Sequence, residues 1–504
     1  MGGGDAASGA WLAAILIVTA LVYSRCLDNG FVMDDSYTIV HDAYIGSWAA
    51  FWRLAFHGQG WFWDHSATKP GDCNYYRPLP NAWWALNFHL FGLHPTGYHA
   101  TQVALHLVGV VIAFRIALAL SMDRLIALLS AAFFALMPTQ AEAVAGIYAL
   151  NPLLSGVFQL GAFEVYLRHK SGPVPKWRMA AISLLLFGGA LLSYESAVVF
   201  PALIAAHAFI FEEGRSGWGG HNFAARLRAM LIAALPYALE VGGYLLVRAL
   251  VLGMAVPHMN HRAPLWWAAL VLAIYSPELV AADAMVYAMP WRMGPRHSMH
   301  FAPRISEPGY YLPALALIAL CAAAFLLLRR NPRREFYLFS GAWILVSLSA
   351  VLIPALAFVP RTIPAADAKL FPYLDRYLYL QSFGYCLLAA GIAADFARGG
   401  KMRAKAVSIG MAAILLGYAA LTFHEQHFWH SDATVRQRSW EQSSQNDPGI
   451  DSAMHNDPDA HTMASAIALR GAALSHRAPI QALNLAGRPL SSTATASGPR
   501  EPTA

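Results

Sequence analysis

The sequence has little charge. Asp, Glu, Lys and Arg make up only 13% of the 504 residues, whereas 57% of the residues are hydrophobic. An ordinary soluble domain is about one quarter charged, so this composition excludes such a domain as the main part of the chain. Apolar runs of membrane-spanning length recur along the sequence, where a membrane β-barrel would show short alternating strands. The sequence therefore predicts an all-α protein that crosses a bilayer many times.

The sequence also lacks the motifs that bind soluble nucleotides or a catalytic zinc ion. It contains no P-loop, no GxGxxG after a strand and no HExxH, so a divalent metal cofactor is not indicated. An enzyme of this composition that transfers a group could not bind a soluble nucleotide donor through these motifs. It would take an activated donor from within the membrane, and a polyprenyl-phosphate sugar fits that requirement. The formal net charge of +6 does not indicate nucleic-acid binding, because the basic residues form short clusters between apolar runs.

Cysteine is scarce as well, with four residues in the chain. Four scattered cysteines exclude a disulfide framework and a structural zinc site. Cys321 and Cys386 lie in apolar runs and are interpreted as packing residues. Cys26 and Cys73 share the first large loop and would pair if that loop faced an oxidising compartment, but their spacing does not show that they are close.

The apolar runs predict about eleven transmembrane helices and a single orientation. Basic residues cluster at alternate turns, which the positive-inside rule places in the cytoplasm together with the N-terminus. The external side then receives the first loop and the C-terminal tail. The predicted helices cover about residues 11–25, 98–120, 125–141, 153–167, 179–192, 197–211, 230–251, 310–328, 336–358, 378–394 and 406–422.

This topology divides the chain into a transmembrane domain, residues 1–423, and an external polar tail, residues 424–504. Within the first, residues 26–97 form a long external loop and residues 252–309 a second external region. The tail is predicted to be largely disordered, with no complete repeat array. The apolar segment 263–291 contains Pro277, Glu278 and Asp283; we interpret it as a re-entrant or amphipathic segment, because a single crossing would move every later basic turn outside.

Two adjacent carboxylates follow the first predicted helix. Residues 30–42, here called the acidic loop, read GFVMDDSYTIVHD and contain Asp34 and Asp35. Neighbouring carboxylates repel, which raises one pKa and yields a candidate general base near neutral pH. Aspartate also starts turns and caps helices, so the pair alone leaves both interpretations open.

Two arginines on the same predicted side are candidate phosphate ligands. Arg77 precedes a proline, which favours an extended backbone, and its guanidinium group suits a phosphate at the headgroup level. Arg376 follows Asp375 at the start of a predicted helix, another natural phosphate site. The alternatives are an Arg77 that binds lipid headgroups and a rim salt bridge between Arg376 and Asp375.

Further acids lie within or at the ends of apolar runs, where their cost indicates a function or a partner. Glu142 and Glu195 are predicted on the same external side as Asp34. Glu240 would sit in the middle of the seventh helix, two turns from Arg248, and the sequence predicts a structural ion pair between them.

Six stretches, in order, resemble one known family. They are FVMDDSYTIV (31–40), YYRPL (75–79), GYHATQVALHLV (97–108), PTQAEAVAGI (138–147), LLSYESAVVFPAL (191–203) and LDRYLYLQSFGYCLL (374–388). The chain resembles the multi-spanning glycosyltransferases of the GT-C superfamily. The likeness is greatest to the transmembrane O-mannosyltransferases with tetratricopeptide repeats, which target cadherins, and to their bacterial relatives; these are distant kin of the protein O-mannosyltransferases.

The resemblance implies an inverting enzyme that moves mannose or a similar hexose from a polyprenyl-phosphate donor to a protein or glycan hydroxyl. It implies catalysis by Asp34 and Asp35 at the external face of a membrane, here taken as a bacterial inner membrane. Donor phosphate would bind Arg77 and Arg376. The residues implied to line the site are Tyr76, Glu142, Glu195 and Asp375.

The chain departs from the family pattern in places. Tyr194 stands where the family often has lysine, Met137 where it has histidine, and the basic residue expected near Asn151 is missing. The other function considered is a transporter or lipid flippase with the acids as ion sites. Transporters show repeated halves and matching broken helices, which this sequence does not, so an enzyme is the preferred prediction.

Overall fold

The computed structural model describes residues 3–42, 44–57, 75–169, 175–211, 223–253, 326–355, 369–373 and 375–438, with short pieces between 266 and 323. All of the main ranges lie in one unit, Met1–Gln442. The helices are α1 Gly3–Tyr23, α2 Trp48–His57, α3 Pro78–Phe91, α4 Pro95–Ser121, α5 Arg124–Leu136, α6 Ala141–Ala145, α7 Leu150–His169, α8 Lys176–Leu191, α9 Phe200–Ile210, α10 Phe223–Leu252, α11 Arg334–Ala355, α12 Tyr379–Ala397 and α13 Lys401–Glu425. Strands β1 (His297–His300) and β2 (Lys369–Tyr373) form an antiparallel pair.

The helices confirm a multi-pass membrane protein. Five of the described helices are long and apolar enough to cross a bilayer: α1, α4, α10, α12 and α13. The pair α5 and α6, bent by 52°, would make a sixth. The predicted count of eleven is not confirmed. Most of the eighth predicted helix, most of segment 263–291 and the tail after residue 438 lie outside the described residues, and β1 with β2 was not predicted.

A proline breaks the chain between α5 and α6. Met137 is extended, with φ −64° and ψ 127°, as expected for a residue that precedes proline. The break frees backbone carbonyl groups inside an apolar bundle, where each needs a partner. Gln102 of α4 supplies it, because its Nε2 donates to the carbonyls of Ala143 at 3.2 Å and Gly146 at 3.0 Å. The turn that carries Glu142 is therefore fixed to α4.

Tyr379, the first residue of α12, lies against α4 and α7. Its hydroxyl is 3.1 Å from His106 Nδ1. A Cβ atom at Gly109 would lie 2.8 Å from that hydroxyl, and one at Gly156 would lie 2.5 Å from the ring. Small residues that let helices approach closely are typical of membrane bundles. This packing sets the position of the start of α12, and with it that of Arg376.

An ionic cluster joins α5, α11 and α12 at the opposite end of α12. Asp123 caps α5 by accepting from Leu125 N at 2.9 Å, and it also pairs with Arg333 at 3.2 Å and with Arg398. Asp395 pairs with the same two arginines. Arg333 and Arg398 belong to two of the basic turns that the positive-inside rule predicts to be cytoplasmic.

Candidate active site

The acidic loop has a defined backbone. It follows a 3₁₀ helix, Ser24–Asp28, and contains a π-helical turn, Ser36–Val40, directly after the acidic pair. Met33 adopts φ 55°, which is uncommon for a residue other than glycine. The Asp34 carbonyl accepts from Thr38 N and Thr38 Oγ1, both at 2.9 Å. The chain therefore turns sharply at the acidic pair and is held there.

Asp35 is completely buried. Its Oδ2 accepts from Val32 N at 2.9 Å, and within the described part of the chain its Oδ1 has no hydrogen-bond partner. Burial raises the pKa of Asp35 well above its ordinary value, and the neighbouring charges of Asp34 and Asp432 raise it further. Asp35 precedes the turn Ser36–Val40 but makes no side-chain capping bond. Its neutral form is therefore favoured, and its contact is with the loop itself.

Asp34 has a different environment. Its side chain is half-buried, and no hydrogen bond to its carboxylate is present among the described residues. Burial raises the pKa of Asp34, while the guanidinium group of Arg376 lowers it and so favours the charged form. A carboxylate with free oxygens, partial solvent access and a nearby cation is suited to accept a proton. The structure thus separates the two aspartates by environment.

Arg376 is held by Glu142. Nη1 of Arg376 lies 2.6 Å from Glu142 Oε1, and its backbone N donates to Oε2 at 2.8 Å. Tyr148 donates its hydroxyl hydrogen to Glu142 Oε1 at 2.8 Å. Glu142 is buried, and so is Asp375, which precedes Arg376 in the sequence. Glu142 is therefore engaged in orienting Arg376, and the arginine lies over the ring of Tyr148 at 5.2 Å.

Arg77 is held in a similar way by Glu195. Its Nε and Nη2 both lie 2.8 Å from Glu195 Oε2, and its guanidinium group stacks over the rings of Tyr75 at 4.3 Å and Tyr194 at 4.6 Å. Arg248 of α10, fully buried, contributes a second cation 3.3 Å from Glu195 Oε1. Two arginines share one carboxylate, which leaves a net charge of +1 in this group.

The predicted ion pair between Glu240 and Arg248 is wrong. Eight residues along a helix rise about 12 Å, too far for these two side chains to meet, and Arg248 pairs with Glu195 instead. Glu240 Oε2 is buried without a hydrogen-bond partner among the described residues.

Tyr194 joins the two arginine groups. Its ring stacks on Tyr377 at 6.1 Å, and both Arg77 and Arg376 lower the pKa of its hydroxyl against the stronger effect of burial. Tyr76, predicted to line the site, is buried against Tyr244, which donates to the Tyr76 carbonyl at 3.5 Å.

A groove opens beside the stacked tyrosines, at the start of α9 and along α11 and α12. Its wall is largely apolar, with hydroxyl and amide groups interspersed. It is lined by Tyr194, Ser196, Val199, Ser347, Ala350, Tyr377, Leu380 and Gln381.

The structure therefore brings Asp34, Asp35, Glu142, Asp375 and Arg376 into one group, which Tyr194 connects to Arg77 and Glu195. Sequence reasoning missed the aromatic partners of the arginines. Tyr75 and Tyr377 lie inside two of the matching stretches, and Tyr148 directly follows a third, so their position in the sequence was a usable signal. It also missed Trp429 and Asp432, for which the local sequence gives no signal. In the part of the chain that the structure covers, no group of three His, Cys, Asp or Glu side chains could hold a metal ion.

The environment of the Cys26 thiol is defined by one hydrogen bond and by burial. Its Sγ donates to the Tyr23 carbonyl at 2.9 Å and the residue is buried. Cys73, with which it was considered to pair, lies outside the described residues.

Comparisons with curated proteins confirm the resemblance predicted from the motifs. The chain is 29% identical over 246 residues to protein O-mannosyl-transferase Tmtc1 of Drosophila melanogaster, covering 47% of this chain and 28% of that protein. It is 24% identical over 445 residues to TMTC3 of Mus musculus, covering 84% of this chain and 46% of that protein. The chain thus spans about half or less of the length of these relatives. No family model matches the chain.

Solved structures show weaker likeness. The oligosaccharyltransferase AglB from Archaeoglobus fulgidus, in complex with an inhibitory peptide and a dolichol-phosphate, is 13% identical with a TM-score of 0.40, covering 82% of this chain and 56% of that one. ArnT from Cupriavidus metallidurans, bound to undecaprenyl phosphate, is 15% identical with a TM-score of 0.34, and the match covers 83% of this chain and 77% of that one.

Proposed function

We propose that this protein is an inverting glycosyltransferase that moves a hexose from a polyprenyl-phosphate donor to a hydroxyl acceptor. The observation that carries the proposal is the environment of Asp34: a half-buried carboxylate with no hydrogen bond from the described residues, close to Arg376. Homology to protein O-mannosyl-transferases supports glycosyl transfer as the reaction class. By the same analogy the sugar is mannose and the acceptor is a protein hydroxyl, with a glycan hydroxyl as the second choice.

In the proposed reaction Asp34 is the general base. The acceptor oxygen attacks the anomeric carbon while its proton passes to the Asp34 carboxylate, and the bond from that carbon to the phosphate oxygen breaks. The electron pair leaves with the polyprenyl phosphate. One displacement inverts the configuration at the anomeric carbon. Asp35, tied to Val32 N, keeps the loop in place.

The arginines are proposed to stabilise the leaving phosphate. Arg77 uses Nε and Nη2 on Glu195, and Arg376 uses Nη1 on Glu142. Their other guanidinium N–H groups form no hydrogen bond within the described residues and are available to phosphate oxygens. Because each arginine is already oriented by a carboxylate, little ordering is needed when the donor binds. The net positive charge around Glu195 favours a dianionic leaving group.

The groove beside Tyr194 and Tyr377 is proposed to take the lipid part of the donor. Its apolar wall, formed by Val199, Ala350 and Leu380, suits an isoprenoid chain that lies between helices. We further propose that this face is external, on a bacterial inner membrane, because the basic cluster around Arg333 lies at the other end of the bundle.

The test uses purified protein in lipid nanodiscs. Radiolabelled polyprenyl-phosphate mannose is supplied with Ser- and Thr-containing peptides, and the product is analysed by mass spectrometry and by NMR of the anomeric proton. We expect a mannosylated peptide with inverted configuration, formed at least about 100-fold more slowly by the Asp34→Asn variant. Lipid or substrate movement in proteoliposomes without release of polyprenyl phosphate would overturn the proposal in favour of a transporter or flippase.

A further inference from the structure

The segment that follows α13 packs against the start of the acidic loop. Gln426 is fully buried, and every polar group of its side chain has a partner. Its Oε1 accepts from Cys26 N at 3.1 Å, and its Nε2 donates to the Val22 carbonyl at 2.9 Å and the Thr422 carbonyl at 3.0 Å. One glutamine therefore joins the end of α1 to the end of α13.

Three more hydrogen bonds continue along the loop towards the acidic pair. Asn29 Nδ2 donates to the Gln426 carbonyl at 3.1 Å. Gly30 N donates to the His430 carbonyl at 3.0 Å, and a Cβ atom at Gly30 would lie 3.3 Å from the same oxygen. Met33, which has the left-handed backbone conformation, donates its backbone N–H to Asp432 Oδ1 at 2.7 Å. Asp34 is the next residue.

The same segment also touches the arginine side of the site. Trp429 is buried, and its ring lies 6.0 Å from the ring of Tyr148. Tyr148 is the residue that donates to Glu142, which holds Arg376. Residues 426–432, here called the clamp, thus contact the loop of the proposed base and the support of the proposed phosphate ligand together.

We propose that the clamp positions the catalytic carboxylate, with Asp432 holding Met33 in the backbone conformation that places Asp34 opposite Arg376. This inference rests on the proposed function. A residue other than glycine with φ 55° has a strained backbone, which persists only where its surroundings hold it. A charge-assisted bond to the backbone N–H of that residue is one such constraint. Asp432 acts through Met33, so it is a positioning residue.

The test compares Asp432→Ala with Asp432→Asn. Asparagine retains an oxygen that can accept from Met33 N, whereas alanine does not. For Asp432→Ala we expect kcat to fall roughly 10- to 100-fold, as a displacement of about 1 Å at a reacting group would cause. KM for polyprenyl-phosphate mannose should stay within about twofold, because neither arginine is touched. Asp432→Asn should restore most of the lost kcat. Asp28→Ala is the matched control and should equal wild type, because the Asp28 side chain is exposed just before the loop and makes no hydrogen bond or ion pair among the described residues.

A second readout does not depend on activity. Hydrogen–deuterium exchange of the peptide that spans residues 30–40 should be faster in Asp432→Ala than in wild type or Asp432→Asn, with all variants monodisperse in detergent. Wild-type kcat and exchange in Asp432→Ala would overturn the clamp, and so would equal impairment of the alanine and asparagine variants. If wild-type protein transferred no sugar while exchange changed as expected, the proposed function would fail and the clamp would stand as a structural constraint on the loop.

Discussion

The two aspartates should respond differently to the same isosteric change. In Asp34→Asn the proposed base is lost, and general-base catalysis is typically worth 10²- to 10⁴-fold. That corresponds to about 2.7–5.4 kcal/mol of transition-state stabilisation. The Asp34 carboxylate receives no hydrogen bond from the described residues, and burial disfavours its charge. The variant should therefore fold as well as wild type at neutral pH.

Asp35→Asn should be much milder. The carboxamide oxygen can still accept from Val32 N, and the raised pKa of Asp35 already favours a neutral side chain. The new NH₂ group would lie where Oδ1 has no partner among the described residues, at a cost to stability of about 1–3 kcal/mol. We expect kcat within roughly tenfold of wild type and a lowered Tm.

The assay is single-turnover transfer from labelled polyprenyl-phosphate mannose, with thermal unfolding measured on the same samples and Asp28→Asn as control. A larger kcat loss in Asp35→Asn than in Asp34→Asn, at equal folding, would reverse the assigned roles. Full activity in both variants would remove the acidic pair from the catalytic site altogether.

Three other predictions concern charge. The kcat should fall as the pH drops through the pKa of Asp34, which is raised above the ordinary aspartate value of about 3.9. In Arg376→Gln this acid limb of the pH profile should move to higher pH, because the cation that lowers the pKa of Asp34 is lost. An acid limb that stays at the same pH in Arg376→Gln would contradict the assignment of Asp34. Arg77→Lys should raise the donor KM roughly tenfold, because the single nitrogen of lysine cannot replace a planar fork that contacts Glu195 and phosphate through different nitrogen atoms. An equal rise in the acceptor KM would argue against a phosphate role. Arg333→Gln should lower the Tm by roughly one or two degrees and leave KM unchanged, since its partly exposed ion pairs are worth about 0.2–1 kcal/mol each. A change in donor KM would show that the ionic cluster around Arg333 is coupled to the site.

Much of the helical framework could be predicted from hydrophobicity. Runs of apolar residues determine where a helix can lie in a bilayer, and α4, α7 and α10 begin and end within a few residues of their predicted bounds, except for the start of α10. Hydrophobicity does not show how helices end. The bend at Pro138 and the helices α2 and α3 depend on proline geometry and interfacial packing, and the first loop was predicted only as polar and aromatic.

The site was predictable in its charged residues and not in their pairing. Asp34, Arg77 and Arg376 stand out because charge is rare in this chain. Which carboxylate each arginine meets depends on contacts distant in sequence, such as that between Arg77 and Glu195, which are 118 positions apart. The pair Glu240 and Arg248 shows the same limit, because closeness along one helix suggested a partner that the fold does not provide.

The separation between the clamp and the loop it holds has a consequence for biosynthesis. Asp432 binds Met33 across 399 positions, and Gln426 binds Cys26 across 400. A ribosome adding about 5–20 residues per second therefore exposes the acidic loop for roughly 20–80 seconds before its anchor has been made. During that interval the inserted N-terminal helices can pack, but the residue next to Asp34 has no clamp. The acidic loop is thus completed by nearly the last part of the described bundle to be translated, and a nascent chain truncated before Asp432 is expected to be inserted in the membrane but inactive.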